Sequence, residues 1–136
     1  MTTDIVALKT RYPGAETFAF GDSRELCDDL IARVRSGAKT ATCGALRDFD
    51  AGEDMPVVGR RDTVLDWDGN PVLRIETTEV TIRRFRDVPE DFALAEGEGD
   101  FDDWTRGHID FFTRNGGYDP DMELVCERFR LVEVLA

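Results

Sequence analysis

The stretch Thr63-Val64-Leu65-Asp66-Trp67-Asp68-Gly69-Asn70-Pro71-Val72-Leu73-Arg74-Ile75-Glu76-Thr77-Thr78-Glu79-Val80-Thr81-Ile82-Arg83-Arg84-Phe85 decides the fold class. Thr63–Trp67 is dense in β-forming residues, Asp68-Gly69 is a hairpin-turn dipeptide, and Val72–Phe85 reads as a long partner strand. Along that partner the apolar phase runs Leu73, Ile75 and then shifts to Val80, Ile82. An extra residue near Thr77-Thr78 accounts for the slip, and such a bulge bends a strand as a small barrel requires.

Upstream of the hairpin, Asp22 and Glu25 have the spacing of a capping box ahead of a helix with Leu26, Leu30, Ile31 and Val34 on one face. Gly37 is placed to end that helix, and Lys39–Cys43 follows as a short β-prone segment. Downstream, Pro89 opens a short helix that runs through Ala95. Asp102 or Asp103 starts another, carrying Trp104, His108, Phe111 and Phe112, and Asn115-Gly116-Gly117 stops it. Met122–Leu135 alternates over most of its length and reads as a last strand. Helix, strands, helices and strand in that order predict an α+β fold with a largely antiparallel sheet. No internal repeat or linker divides the chain.

At 136 residues the chain is predicted to form one domain with a single sufficient core. No apolar run approaches the ~20 residues of a membrane-spanning helix, and Met1 to Pro13 lacks the pattern of a signal peptide. Cysteines 27, 43 and 126 are widely spaced without a CxxC, which predicts reduced thiols and a cytoplasmic location. One His and three scattered Cys predict no metal site. The net charge of −12 is concentrated: residues 87–113 hold nine acids against one base, whereas residues 24–86 are nearly balanced. A field of that sign disfavours steering of a polyanion. Arg60, Arg61, Arg83, Arg84 and Arg86 are the residues from which a basic patch can be built, although solvated strand positions are the simpler reading. Lys9 and Lys39 are the only lysines among seventeen basic residues, so each invites a reason.

Gly37-Ala38-Lys39-Thr40 lacks the Gly-Lys pair of a phosphate loop and follows a helix instead of a strand. Asp66–Pro71 has a turn's composition and not an EF-hand's, because Pro71 and Thr77 stand where Gly and Glu are needed. Two segments keep chemical content. In Lys39-Thr40-Ala41-Thr42, a partly desolvated amine can deprotonate a threonine hydroxyl, provided a turn or bulge brings Lys39 to Thr42. The plainer alternative is a lysine facing the carbonyls of the preceding helix. In Glu96-Gly97-Glu98-Gly99-Asp100, crowding of carboxylates can raise one toward a general acid. Here the plainer alternative is a solvated helix linker.

Taken in order, several segments resemble one family: Phe20-Gly21-Asp22-Ser23, Gly37-Ala38-Lys39-Thr40-Ala41-Thr42, Pro56-Val57-Val58-Gly59, Asp68-Gly69-Asn70-Pro71, Phe92–Asp100, Trp104-Thr105-Arg106-Gly107-His108, Phe111-Phe112 and Leu124–Phe129. They span about residues 18–132 and resemble the ASCH domain in its longer bacterial form. Thr105 departs from the pattern, shifting the arginine that often follows the tryptophan by one place. The resemblance implies a single domain over 1–136, with 1–17 as an N-terminal extension, and a PUA-like, small, bent, mixed β-barrel flanked by helices around a nucleobase-sized cleft. By similarity to the short ASCH amidohydrolases of N4-acetylcytidine, it implies catalytic roles for Lys39, Thr42 and Glu98, with Glu96 the alternative carboxylate. Thr40, Trp104, Arg106 and His108 would then bind substrate, and neither metal nor organic cofactor would be needed. The implied partner is a modified nucleoside or nucleotide, or RNA. An RNA- or nucleotide-binding module and a metal-independent ribonuclease are the alternative functions of the same cleft.

Overall fold

The computed structural model describes residues 16–136, so Met1–Pro13 and most of the extension expected over 1–17 lie outside the described residues. The hairpin forms as read. Strand β3 (Arg61–Leu65) pairs antiparallel with β4 (Pro71–Arg84). The turn between them is held by the Asp66 carboxylate, which accepts from the backbone N–H groups of Asp68 at 3.0 Å and Asn70 at 2.8 Å. Gly69 occupies the left-handed region there, with φ 85°, a conformation that costs a residue with a Cβ.

The remaining strands are β1 (Thr17–Ala19), β2 (Ala41–Ala45) and β5 (Glu123–Val134). Along β4 and β5 the register slips between Thr77 and Glu79, leaving Thr78 as the bulged residue where the apolar phase changes. A second slip falls between Arg74 and Ile75. β1 runs parallel to β3 and all other pairs are antiparallel, giving the order β1-β3-β4-β5-β2. The α+β class and the bent mixed sheet match the expectation. Closure into a barrel does not: among the described residues β1 and β2 are edge strands that pair with one neighbour each. The bulges bend the sheet without bringing its edges into hydrogen-bonding reach.

Helix α1 (Arg24–Ser36) starts one residue later than the capping-box spacing suggests, because Ser23 accepts from the Leu26 N–H. Asp22 instead binds Arg114 and Asn115. The helix buries Cys27, Leu30, Ile31 and Val34 against Val64, Leu73, Ile75 and Phe129 of the sheet. A short α2 (Leu46–Asp50) follows β2. The other core lies under α3 (Glu90–Ala95) and α4 (Phe101–Arg114), where Phe85, Phe92, Trp104 and Phe112 pack on Ala41, Ala45, Leu124 and Cys126. Asp100 caps α4 in a reciprocal capping box with Asp103, so the helix begins earlier than Asp102. No helix among the described residues is long and apolar enough to cross a membrane.

Candidate active site

The left-handed Gly37, with φ 86°, turns the chain at the end of α1 and lays Ala38-Lys39-Thr40 along the loop between α3 and α4. One backbone-directed bond closes the end of α1 and two more cross to the loop. Lys39 N–H donates to the Arg33 carbonyl at 3.0 Å and Thr40 N–H to the Ala95 carbonyl at 2.7 Å. The Arg33 guanidinium donates to the carbonyl of Gly97. A Cβ on Gly97, which has φ 73°, would lie 2.3 Å from the Ala38 carbonyl oxygen, so only glycine allows the approach. The acidic stretch is therefore a pinned loop and not a solvated linker.

This contact buries the Lys39 side chain to 1% exposure, with Nζ 3.2 Å from Glu96 Oε1 and 3.6 Å from Glu98 Oε2. The Phe20 ring lies 5.6 Å from the ammonium, a cation–π contact. Glu96 is held by more than the lysine. Trp104 Nε1–H donates to its Oε2 at 2.6 Å, and His108 Nε2 lies 3.5 Å from the same oxygen. Burial would raise the Glu96 pKa, but Lys39, His108 and Trp104 together outweigh it and hold it at about 2. Glu98 goes the other way. Burial raises it, Lys39 opposes, and the charge of Glu96 adds to burial, which leaves it raised from its ordinary value. Burial disfavours the His108 imidazolium, yet the Glu96 hydrogen bond and the charges of Glu96 and Glu98 prevail and raise its pKa. The two glutamates of one loop thus shift in opposite directions, Glu96 down and Glu98 up.

Lys39, Thr42, Cys43, Glu96, Glu98 and His108 line a cavity of about 290 Å3, closed on its apolar side by Phe20, Leu26, Leu30 and Phe111. Thr42 and Cys43 also face a larger chamber of about 560 Å3 beside it. Of the residues read from the sequence, Lys39, Thr42, Glu96, Glu98 and His108 therefore come together. Three substrate-binding candidates do not. Trp104 is 1% exposed, stacked on Phe85 and on His108 at 5.3 and 4.4 Å, so its ring is not available to a base. Its part is to orient Glu96. Arg106 projects to solvent with 73% of its side chain exposed and pairs with Asp103. Thr40 is exposed on the Ala95 side of the loop and lines neither cavity.

Two further residues belong to the site. Cys43 brings its sulfur within 4.8 Å of both a Glu96 oxygen and a His108 nitrogen, and burial first, then the Glu96 charge, pushes its thiol well above the ordinary range. Glu127 is the register partner of Thr42 across β2 and β5 and lines the chamber. It is buried, accepts from Thr77 Oγ1 at 2.6 Å, and has a pKa raised by burial against the Thr77 bond. A glutamate directly after the apolar Leu124-Val125-Cys126 of a strand is the sequence signal for it.

A family model described as an ASCH domain matches residues 16–133. Among solved structures, the chain is similar to the ASCH domain of Lactobacillus crispatus JV V101, at 31% identity and TM-score 0.80, covering 92% of this chain and 84% of that one. It is also similar to a protein of Enterococcus faecalis V583, at 36% identity and TM-score 0.78, covering 90% and 82%. A mutant ASCH protein of Zymomonas mobilis, at 9% identity, TM-score 0.55 and coverage of 89% and 73%, shares the fold alone. No curated protein matches the sequence.

Proposed function

The chain belongs to the ASCH domain family, and from that membership and its buried lysine cluster we propose that it hydrolyses the acyl amide on the base of a modified nucleoside, with N4-acetylcytidine the reference substrate. ASCH domains have the PUA-like fold, which is often linked to RNA binding. The observation that carries the hydrolytic reading is the placement of Lys39 Nζ between Glu96 and Glu98, at 3.2 and 3.6 Å, on a cavity also lined by Thr42.

In this reading Lys39 acts as the free amine and Glu98 as the carboxylic acid, so the pair supplies a base and an acid to one cavity. The amine takes the Thr42 proton as the threonine oxygen attacks the acyl carbonyl. Glu98 gives its proton to the exocyclic nitrogen as the C–N bond breaks, leaving acyl-Thr42 and the free base. Lys39 then passes its proton to Glu98, which resets the pair. Water attacks the acyl-threonine by the same route in reverse and releases the carboxylic acid. Glu96, anionic throughout, anchors Lys39 and is itself oriented by Trp104 and His108.

The test incubates the protein with N4-acetylcytidine, with other acylated nucleosides and with a structured RNA, and follows both nucleoside and RNA products by chromatography. Deacylated nucleoside with intact RNA is the expected result. RNA cleavage or tight RNA binding without nucleoside turnover would replace this reading.

A further inference from the structure

Cys43, Glu96 and His108 come from three separate elements, yet their sulfur, oxygen and nitrogen atoms lie within 4.8 Å of one another. Thiolate, carboxylate and imidazole are the ligand types of zinc, and three protein ligands leave a fourth position open to water. The one resolved spacing within the trio suits that ion. His108 Nε2 and Glu96 Oε2 are 3.5 Å apart, close to the ~3.3 Å edge of a tetrahedron whose arms are about 2.0–2.1 Å.

The surroundings are those that metal ligands need. His108 Nδ1 is 2.8 Å from the Trp104 carbonyl oxygen. A carbonyl can only accept, so Nδ1 carries a hydrogen and Nε2, the nitrogen facing Glu96, is the ring atom a cation would take on displacing its proton. A histidine whose other ring N–H is fixed on a backbone carbonyl is the usual arrangement of a metal-bound imidazole. The Glu96 oxygen nearest His108 also accepts from Trp104 Nε1 at 2.6 Å, which orients the carboxylate in the same way. Lys39 binds the opposite oxygen, Oε1, and leaves Oε2 to the cluster.

We infer that Cys43, Glu96 and His108 form a binding site for a borderline-soft divalent cation, Zn2+ in the first instance. The site stands apart from the hydrolytic reading, because its readout is metal binding and not turnover. Hard cations are excluded by the donor set: Mg2+ and Ca2+ take oxygen ligands and would gain nothing from Cys43.

The experiment titrates the reduced full-length chain with Co2+ and records its absorption. A thiolate-to-cobalt charge-transfer band in the near ultraviolet, with intense tetrahedral visible bands, is expected to saturate at one equivalent and to be displaced by Zn2+. A phosphine reductant is needed because Cys43 stands opposite Cys126 in the β2–β5 register. Cys43→Ser and His108→Gln should each lose the charge-transfer band or weaken binding at least tenfold, whereas Cys126→Ser should keep both. Thermal melting supplies a second readout: Zn2+ should raise the melting temperature of the wild type and of Cys126→Ser, but not of Cys43→Ser. Weak octahedral cobalt spectra without charge transfer would overturn the site. So would a band that survives Cys43→Ser or disappears with Cys126→Ser.

Discussion

A buried ion pair is poor evidence of stability, because an apolar pair of the same shape often serves a fold as well or better. Lys39 and Glu96 are both buried and ion-paired, so the pair is better explained by chemistry than by folding. Lys39→Arg keeps the charge, yet arginine does not give up a proton near neutral pH. Hydrolysis by that variant should fall to background, with the melting transition retained though lowered by the larger side chain. Full activity in Lys39→Arg would exclude the base role. Glu96 supplies a pH test. Its pKa is about 2 in the fold against an ordinary 4.5, so it contributes stability that is fully present above about pH 4.5 and is lost as the pH falls through about 2. The contribution is on the order of 3 kcal/mol. Denaturant midpoints of wild type and Glu96→Gln should therefore differ most near neutrality and converge in acid. A gap that does not change with pH would refute this. Lysine scarcity made Lys39 legible in the sequence. The division of labour between Glu96 and Glu98 was not, since two carboxylates two residues apart look alike until burial and Trp104 distinguish them. The base-binding role for Trp104 came with the family resemblance, since its spacing to His108 fixes a shared helix face and not whether that face is open.

Elements meet at this site through glycine. Gly37 and Gly97 are both left-handed, at φ 86° and 73°, but their surroundings differ. A Cβ on Gly37 meets nothing within 4 Å, whereas one on Gly97 would press into the Ala38 carbonyl. Gly37→Ala should therefore cost about 1–2 kcal/mol of backbone strain and leave turnover nearly intact. Gly97→Ala carries the same strain plus a backbone clash, so it should cost more and also part Lys39 from Glu96 and Glu98. Melting and turnover of the two variants, measured together, decide the point; equal losses of turnover would mean the loop contact does not set the site. The long hairpin, its bulge and the two longer helices were legible because their signals are periodic. What escaped were β1 (Thr17–Ala19), too short for a period, and α2 (Leu46–Asp50), which has no side-chain cap to announce it. The starts of α1 and α4 moved by one or two residues because adjacent polar residues compete to cap, and Ser23 and Asp100 prevailed.

On the scale of the whole molecule, a bulge tells that a sheet bends but not whether its edges meet, which is why barrel closure could not be read from the hairpin. Charge was legible, and the structure sharpens its consequence. The arginines from which a basic patch was imagined are largely neutralised: Arg60 pairs with Asp62, Arg61 with Glu76, and Arg84 and Arg86 with Asp121. The chamber beside the cavity is lined by Asp48, Glu53, Asp54, Asp62 and Glu127 with Arg60 the lone guanidinium among its described lining. A phosphate entering there meets carboxylates, while a neutral nucleoside meets no such barrier. The affinity for N4-acetylcytidine should accordingly change little with ionic strength. Its 5′-monophosphate should bind about tenfold more weakly at low salt, a penalty of about 1.4 kcal/mol, and should recover part of the loss as salt screens the repulsion. A structured RNA should bind weakly at every salt concentration. Calorimetric titration of the three ligands across about 50 to 200 mM salt separates the cases. Were phosphate or RNA to bind tightly at low salt and be lost steeply over that range, counterion release would be the driving force, and the cavity would have to be read as part of an RNA-binding surface.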